Sequence, residues 1–405
     1  MRRIELIYFN AGGGHHAAAH ALREVITAQQ RPWDLRLTNL FDMLDPARAY
    51  QRWTGSCPED VYNLRLARGW TWGLETELRL LQRCIRLSHR WMVGRLARHW
   101  ASARPDLVVS LIPNFNRAMH DALAQSCPAV PYITVMTDLA DTPPHFWIEP
   151  GTSQHIVCGT DEAVRQARAA GVPVQRIWLT SGMILRPAFH ALPPLDRRAA
   201  RLELGLDPDL RTGVVLFGGH GSAQMLDIAK HLDDVPLILL CGRNQALAEA
   251  LRALRRRAAQ AVVGFTDDVP RLLRLGDFLI GKPGPGSLSE AVHLGLPVLT
   301  FDNANTMPQE RYNVRWLKEQ GLGRAVRHTR ELRKALDRLP QAPRSGTADP
   351  AAPANRAVFE VVDILDELMR WAQPRPAGSL VDGSCNGLPV ARAADASSLG
   401  WAVSR

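Results

Sequence analysis

The sequence predicts an α/β protein made of two facing Rossmann-like domains. Three observations carry that prediction. Short, continuously apolar β-type runs alternate with helical patterns through most of the 405 residues. Three glycine-rich turns each stand between such a run and a helix, and a Pro-rich stretch without periodicity separates the runs into two sets. Apolar strands that alternate with helices form parallel sheets covered on both faces.

The first set of strands is IELIYF, DLRLTNL, DLVVSLI, PYITVMT, HIVCG and RIWLTSG. The second is GVVLFGG, PLILLCG, AVVGF, FLIGKPG and PVLTFD. Between them RPAFHALPPLD, residues 186–196, reads as the linker. The expected units are therefore an N-terminal domain, 1–188, and a C-terminal domain, 189–345. Residues 59–103 are a long helical stretch carrying Trp70, Trp72, Trp91 and Trp100 among many arginines. NRAVFEVVDILDELMRWA has the spacing of an amphipathic helix, expected over 354–372 and packed back on the N-terminal domain. Beyond it, residues 374–405 have turn formers and no periodic apolar face, which predicts a disordered tail.

Composition narrows the function classes. At 46% hydrophobic the chain can bury a sizeable core. Its net charge is +9, and nearly all of the positive charge is arginine, since Lys230, Lys282, Lys318 and Lys334 are its four lysines. Such a surface suits anionic partners, although a genomic base bias produces the same composition. The arginines are dispersed and no nucleic-acid-binding module is present, so nucleic acid is not an expected partner. Six cysteines are scattered without CxxC spacing, which indicates neither a zinc site nor a disulfide framework. MRRIELIYFN runs straight into a strand and a glycine turn rather than forming a signal peptide. No window approaches the roughly 20 apolar residues of a membrane span. The expectation is a cytoplasmic protein, peripheral on the inner face of a membrane.

The first glycine turn is GGGHH. A strand passing through glycines into a helix brings the amides of Gly13 and Gly14 and the positive helix end toward a ligand. It is not GxGxxG, and no acidic residue about 20 positions on completes a ribose site, so a nicotinamide cofactor is not expected. His16 and His20 have i,i+4 spacing but no third ligand, and no metal is expected there. His15, at the mouth of the turn, is placed to act as a general base. The second turn is FGGHGSAQ, where Gly219, Gly221 and Ser222 let backbone amides and a hydroxyl approach a diphosphate; a merely tight loop is the alternative. The third passage, GKPGPGSLSEAVHLGLPVLTFDNANTMPQERYN, is the most specific. Ser287 and Glu290 have the spacing of a capping box. Alternatively, Glu290 faces the cleft and accepts hydrogen bonds from the vicinal hydroxyls of a ribose. Asp302, Gln309, Glu310 and Asn313 add the clustered polar groups that a hexose requires.

These passages together resemble the inverting glycosyltransferases with two facing Rossmann domains, the GT-B arrangement. The closest resemblance is to the monogalactosyldiacylglycerol synthase and processive diacylglycerol glucosyltransferase family. It rests on GGGH-x-A-x-A, VMTDL at 135–139, GMILRPAF at 182–189, FGGHGS, KPGPGSLSEA-x-x-x-GLP and Q-E-x-x-N, spread over about residues 9–325.

The resemblance implies a UDP-hexose donor held by the C-terminal domain. Glu290 would bind the ribose. Amides around Gly284, Gly286 and Ser287, and from Gly219 to Ser222, would bind the diphosphate, while Gln309 and Glu310 would contact the sugar or its phosphate. The acceptor it implies is a lipid, with 1,2-diacylglycerol the first choice and a β-glycosyl diacylglycerol the product. An attacking alcohol must lose its proton, so a base is needed in the N-terminal domain. His15 is the first candidate and Asp138 the second, and Asp138 could instead orient the imidazole. Electrostatic stabilisation of the departing diphosphate by backbone donors dispenses with a metal or other cofactor. Asp207-Pro-Asp209 resembles a DxD metal motif but lies in a turn-like context and is expected to be a plain loop. The Trp- and Arg-rich region 53–100 would serve as an acceptor platform on an anionic membrane surface, or simply as aromatic filler. The alternatives are transfer to a soluble or other lipid-linked acceptor, and a UDP-sugar 2-epimerase on the same fold.

Overall fold

The computed structural model describes residues 1–10, 13–48, 52, 55, 74–304, 306–340 and 355–371. Trp70, Trp72 and the 374–405 tail lie outside the described residues.

The N-terminal half runs β1 (Arg2–Tyr8), α1 (Gly14–Ala28), β2 (Trp33–Asn39), α2 (Leu40–Leu44), α3 (Leu74–Leu87), α4 (His89–Ala103), β3 (Leu107–Ser110), α5 (Asn116–Ser126), β4 (Tyr132–Val135), β5 (His155–Cys158), α6 (Asp161–Ala169) and β6 (Ile177–Leu179). Its strands form one parallel sheet in the order β2-β1-β3-β4-β5-β6. Side chains alternate across a strand, so β1 feeds two cores. Ile4 and Leu6 pack toward α1, whereas Ile7 packs toward α4 and α5. Glu5, on that second face, is a buried carboxylate held by Thr38, His99 and Trp100 at 2.8, 2.7 and 2.9 Å, which ties α4 to the sheet.

The C-terminal half continues with α7 (Arg197–Glu203), β7 (Gly213–Leu216), α8 (Gln224–His231), β8 (Leu237–Leu240), α9 (Gln245–Ala253), β9 (Gln260–Val263), α10 (Val269–Leu275), β10 (Phe278–Gly281), α11 (Pro285–His293), β11 (Val298–Phe301), α12 (Arg311–Glu319), β12 (Gly323–Val326) and α13 (Leu332–Leu336). Its sheet is again parallel, in the order β12-β11-β10-β7-β8-β9. Every strand predicted from the sequence is present. β12, GRAV, is an addition: a half-exposed edge strand with no apolar run to announce it.

The last described helix, α14 (Ala357–Trp371), packs on α1 and places Val358, Val362, Leu365 and Leu368 in the N-terminal core. Arg31 fastens it with ion pairs to Asp363 and Asp366 at 2.8 and 3.2 Å. The chain thus returns to its first half after completing its second. Asp207 and Asp209 form a side-chain-stabilised turn, and Asp209 is taken by Arg198 at 2.6 and 3.1 Å, as suits a plain loop.

In each sheet the connections diverge to opposite sides at one point: between β1 and β3, and between β7 and β10. Crevices beyond the carboxyl ends of strands at such switch points are where open α/β sheets bind ligands. All three glycine turns lie there.

Candidate active site

On the N-terminal side the chain leaves β1 and turns into α1 at Gly13, whose φ of +81° is a conformation that favours glycine. His15 follows in the first turn. Its Nδ1 lies 2.9 Å from Thr137 Oγ1, and its ring sits between the edges of Phe9 and Trp147, with centroids 6.4 and 5.9 Å away. Enclosure pushes its pKa down to about 4, against a hydrogen bond to the Leu111 backbone that favours the protonated form. At neutral pH the imidazole is therefore uncharged and can accept a proton.

Asp138 comes from the segment after β4. Its Oδ2 accepts from Trp147 Nε1 at 2.9 Å. Trp147 is fully buried, and its own amide is anchored to Asp141 Oδ1 at 2.6 Å, so the indole is a fixed donor. Burial pushes the Asp138 pKa up to about 7; the Trp147 hydrogen bond opposes this, the charge of Glu310 adds to it, and Lys282 opposes it. Glu310 and Lys282 belong to the other half of the chain, so Asp138 faces them across the cleft. His15 and Asp138 line the same wall but do not pair: Thr137 takes the imidazole and Trp147 takes the carboxylate. The hydrogen-bond partner expected of Asp138 is supplied to the imidazole by Thr137 in this structure.

On the C-terminal side, Gly284 caps α11 and Pro285 opens it, with no side-chain cap. The helix starts earlier than a Ser287 capping box would require. Ser287 Oγ instead donates to Gly284 O at 3.5 Å. Among the described residues the Glu290 carboxylate makes no hydrogen bond, and burial pushes its pKa up to about 7, with the Arg186 charge pulling the other way. The side chain is half-buried, so solvent reaches the carboxylate. With the helix starting at Pro285, Glu290 lies too far along it to act as the cap.

Lys282, just before the turn, donates to Glu310 Oε1 at 3.1 Å, and Glu310 is 5% exposed. Asn313 donates to Pro283 O at 2.8 Å and fixes the same loop. A Cβ on Gly284 would come within 3.4 Å of Lys282 and 3.7 Å of Glu310, so this backbone passes close to both. Gln309 is partly exposed beside Glu310, and Gly286 is exposed at the helix start.

The 217–224 turn follows β7, next to β10. Gly221 has φ +59°, and a Cβ there would come within 2.7 Å of Leu247 and 3.0 Å of the Cys241 carbonyl, so a side chain is excluded twice over. The Gly219 carbonyl accepts from the Arg243 amide at 2.9 Å, and Ser222 Oγ accepts from the Gln224 amide at 3.3 Å. The glycine loops after β7 and β10 thus stand side by side at the switch point.

Sequence reasoning missed Thr137, Trp147, Arg186 and Lys282. Thr137 and Lys282 lie inside motifs already singled out, and their signal was adjacency to Asp138 and Gly284. His16 and His20 stack on each other with centroids 4.0 Å apart. Among the described residues no three His, Cys, Asp or Glu side chains converge to hold a metal ion.

The chain is similar to several known proteins. Residues 15–182 match the family model described as monogalactosyldiacylglycerol (MGDG) synthase. A probable chloroplastic monogalactosyldiacylglycerol synthase 2 of Oryza sativa subsp. japonica is 27% identical over 365 residues, covering 83% of this chain and 73% of the relative. Among solved structures, Acinetobacter baumannii MurG superposes with a TM-score of 0.55 at 13% identity, over 91% of this chain and 100% of that one. The UDP-GlcNAc 2-epimerase of Neisseria meningitidis, bound to UDP-GlcNAc, gives the same TM-score, identity and coverage. These two share the fold.

Proposed function

We propose that the chain, a hexosyltransferase of GT-B fold similar to the monogalactosyldiacylglycerol synthases, moves a hexose from a UDP-sugar to 1,2-diacylglycerol with inversion. The observation that carries the donor side is Glu290. It is a half-buried carboxylate without a hydrogen-bond partner among the described residues, on the helix that follows the β10 glycine loop at the switch point of the C-terminal sheet. Such a group accepts both hydroxyls of a ribose while the loop amides of Gly219–Ser222 and Gly284–Ser287 take the diphosphate. Gln309 and the Lys282–Glu310 pair then stand where the sugar and its phosphate meet.

On the opposite wall His15 takes the proton of the acceptor hydroxyl as it attacks the anomeric carbon. Attack from the side away from the departing UDP converts an α-linked donor into a β-glycoside. The new C–O bond forms as the bond to the β-phosphate oxygen breaks. Asp138, on the same wall as His15, faces Lys282 and Glu310 across the cleft.

The acceptor side rests on kinship and on α3 and α4. Leu80, Leu81, Leu87 and Trp91 are exposed there, at 60, 46, 82 and 53%, among Arg79, Arg83, Arg86, Arg90 and Arg95. Among the described residues no helix is long and apolar enough to cross a membrane. An apolar edge flanked by arginines instead suits adsorption to an anionic bilayer, where diacylglycerol resides. Trp100 shows the other use of tryptophan in this region, since it is fully buried in the core. We place the enzyme at the cytoplasmic face of its membrane.

Titration calorimetry with UDP tests the donor assignment. Glu290→Ala removes two charge-assisted hydrogen bonds worth about 1.5–3 kcal/mol each. The variant should stay folded and bind UDP at least about tenfold more weakly. Unchanged UDP affinity in a folded variant would remove Glu290 from the site.

A further inference from the structure

At the amino end of the strands of the N-terminal sheet, three side chains stand in series. His120 and Asp121 lie on α5, and Ser153 lies in the loop just before β5. Ser153 Oγ is 2.8 Å from His120 Nε2, and His120 Nδ1 is 3.0 Å from Asp121 Oδ1. His15 and Asp138 follow the carboxyl ends of β1 and β4, so the series lies at the opposite end of the sheet from the cleft.

A further contact settles the tautomer. The Ser153 backbone amide donates to the same Nε2 at 3.1 Å, and an amide N–H can only donate. Nε2 is therefore the nitrogen without a hydrogen, and Nδ1 carries the N–H that Asp121 accepts. This is the form of imidazole that takes a proton from a serine hydroxyl. Asp121 is met on its other oxygen by His89 Nε2 at 3.2 Å, and the Tyr132 ring meets the His120 imidazole edge-on at 6.0 Å. The loop is fastened to the same helix. Arg117 donates to the Pro150 carbonyl and pairs with Glu149 at 3.6 Å, and Thr152 Oγ1 donates to the Glu149 carbonyl at 2.9 Å. Helix and loop are thus locked together, with the exposed Ser153 at the end of the series.

Ser153 and His120 line a cavity of about 310 Å³. Leu123, Val130 and Leu368 give it apolar walls, and Arg176 stands in the same lining without a carboxylate partner among the described residues. A guanidinium there supplies the charge that a carbonyl oxygen needs as it becomes an oxyanion. We propose that Ser153 and His120 form a catalytic site, separate from the cleft, that hydrolyses small carboxylic esters, with Asp121 as its positioning residue. The apolar walls suit an acyl chain, and a cavity at the lower end of the usual size for ligand pockets limits it to a short one. Ser153 Oγ attacks the ester carbonyl carbon while its proton passes to His120 Nε2. Collapse of the tetrahedral adduct breaks the bond to the alcohol oxygen, and the alcohol leaves with that proton. Water then attacks the acyl-serine and gives a proton to Nε2. The acid departs as Ser153 Oγ takes that proton back.

The test uses the full chain, p-nitrophenyl butyrate as substrate and a fluorophosphonate as covalent probe. Hydrolysis should be saturable, and peptide mass spectrometry should find the probe on Ser153. Ser153→Ala should abolish both and leave hexosyl transfer as it was; the side chain is exposed, so the variant should fold. His120→Gln should lower kcat by about 10²–10⁴. Asp121→Asn should lower kcat at unchanged KM, and nitrogen NMR should show the His120 hydrogen moved from Nδ1 to Nε2, which a loss of stability alone does not produce. Hydrolysis that persists in Ser153→Ala would overturn the proposal, as would a folded chain in which the probe leaves Ser153 unmodified. Either result leaves hexosyl transfer and the donor assignment untouched.

Discussion

His15 and Asp138 stand on one wall with their ordinary ionisations displaced in opposite senses, and that displacement distinguishes their roles. With a pKa pushed down to about 4, the His15 imidazole is neutral throughout the physiological range. A base that is already neutral gives a kcat that is flat from pH 6 to 8 at saturating donor. Asp138, pushed up to about 7, would impose a rising limb with its midpoint near pH 7 if it were the base. The account predicts the flat profile. A limb near pH 7 that disappears in Asp138→Asn would transfer the assignment.

Removing His15 should cost about 10²–10⁴ in kcat, while UDP, which we propose the other half of the chain holds, should bind as before. Asp138 also carries a stability signature. Its folded pKa lies above its unfolded value, so the native state binds the extra proton between about pH 4 and 7, and stability from this group falls as pH rises through that window. Asp138→Asn should therefore raise Tm more at pH 8 than at pH 5, with thermal unfolding as the readout. Equal shifts at both pH values would mean that the carboxylate is not desolvated.

At the scale of elements, the sequence was most legible where one feature dominated. Buried parallel strands such as GVVL and LILL are apolar on both faces, so their runs are continuous and unmistakable. β12 escaped because an edge strand needs only one covered face, and GRAV carries its arginine in the open. The glycine turns were legible because close backbone approach excludes side chains, as at Gly221. What could not be read was pairing between distant segments. Thr137 meets His15 across 122 positions and Lys282 meets Glu310 across 28, and no local pattern encodes either. Glu290 was ambiguous for a related reason: a capping box and a ligand carboxylate share one spacing, and only the position of the helix start separates them.

The helical pair α3 and α4 carries the membrane prediction. Each well-placed arginine contributes about 1 kcal/mol at an anionic surface, and that attraction is screened over a Debye length of about 8–10 Å. Sedimentation with vesicles should therefore rise with phosphatidylglycerol content and fall with salt. Replacing Leu87 and Trp91 together by serine should reduce it without changing UDP affinity, since both side chains are exposed and far in sequence from the donor loops. Equal recovery in the supernatant with neutral and anionic vesicles at low salt would point to a soluble acceptor.

For the whole molecule, function follows from two sheets whose switch points face each other. Each half alone offers an incomplete chemistry: a neutral imidazole and a raised carboxylate on one side, glycine loops and the carboxylate of Glu290, which we assign to a ribose, on the other. Asp138 feels Glu310 and Lys282 across the gap, which makes the cleft a single electrostatic unit. The return of α14 onto α1 ties the end of the chain to its beginning, so the two halves are joined by more than one crossing.

We propose that this cleft transfers a hexosyl group to diacylglycerol, and the chemical identity of the product decides the matter. The full chain is incubated with labelled UDP-galactose or UDP-glucose and diacylglycerol in phosphatidylglycerol vesicles, and the lipid extract is examined by mass spectrometry and proton NMR. The expected product is a glycosyl diacylglycerol with a β anomeric linkage, formed when donor and acceptor are both present and lost in His15→Ala. Label that stays out of the lipid fraction, or a UDP-sugar converted to its 2-epimer with no acceptor added, would contradict it.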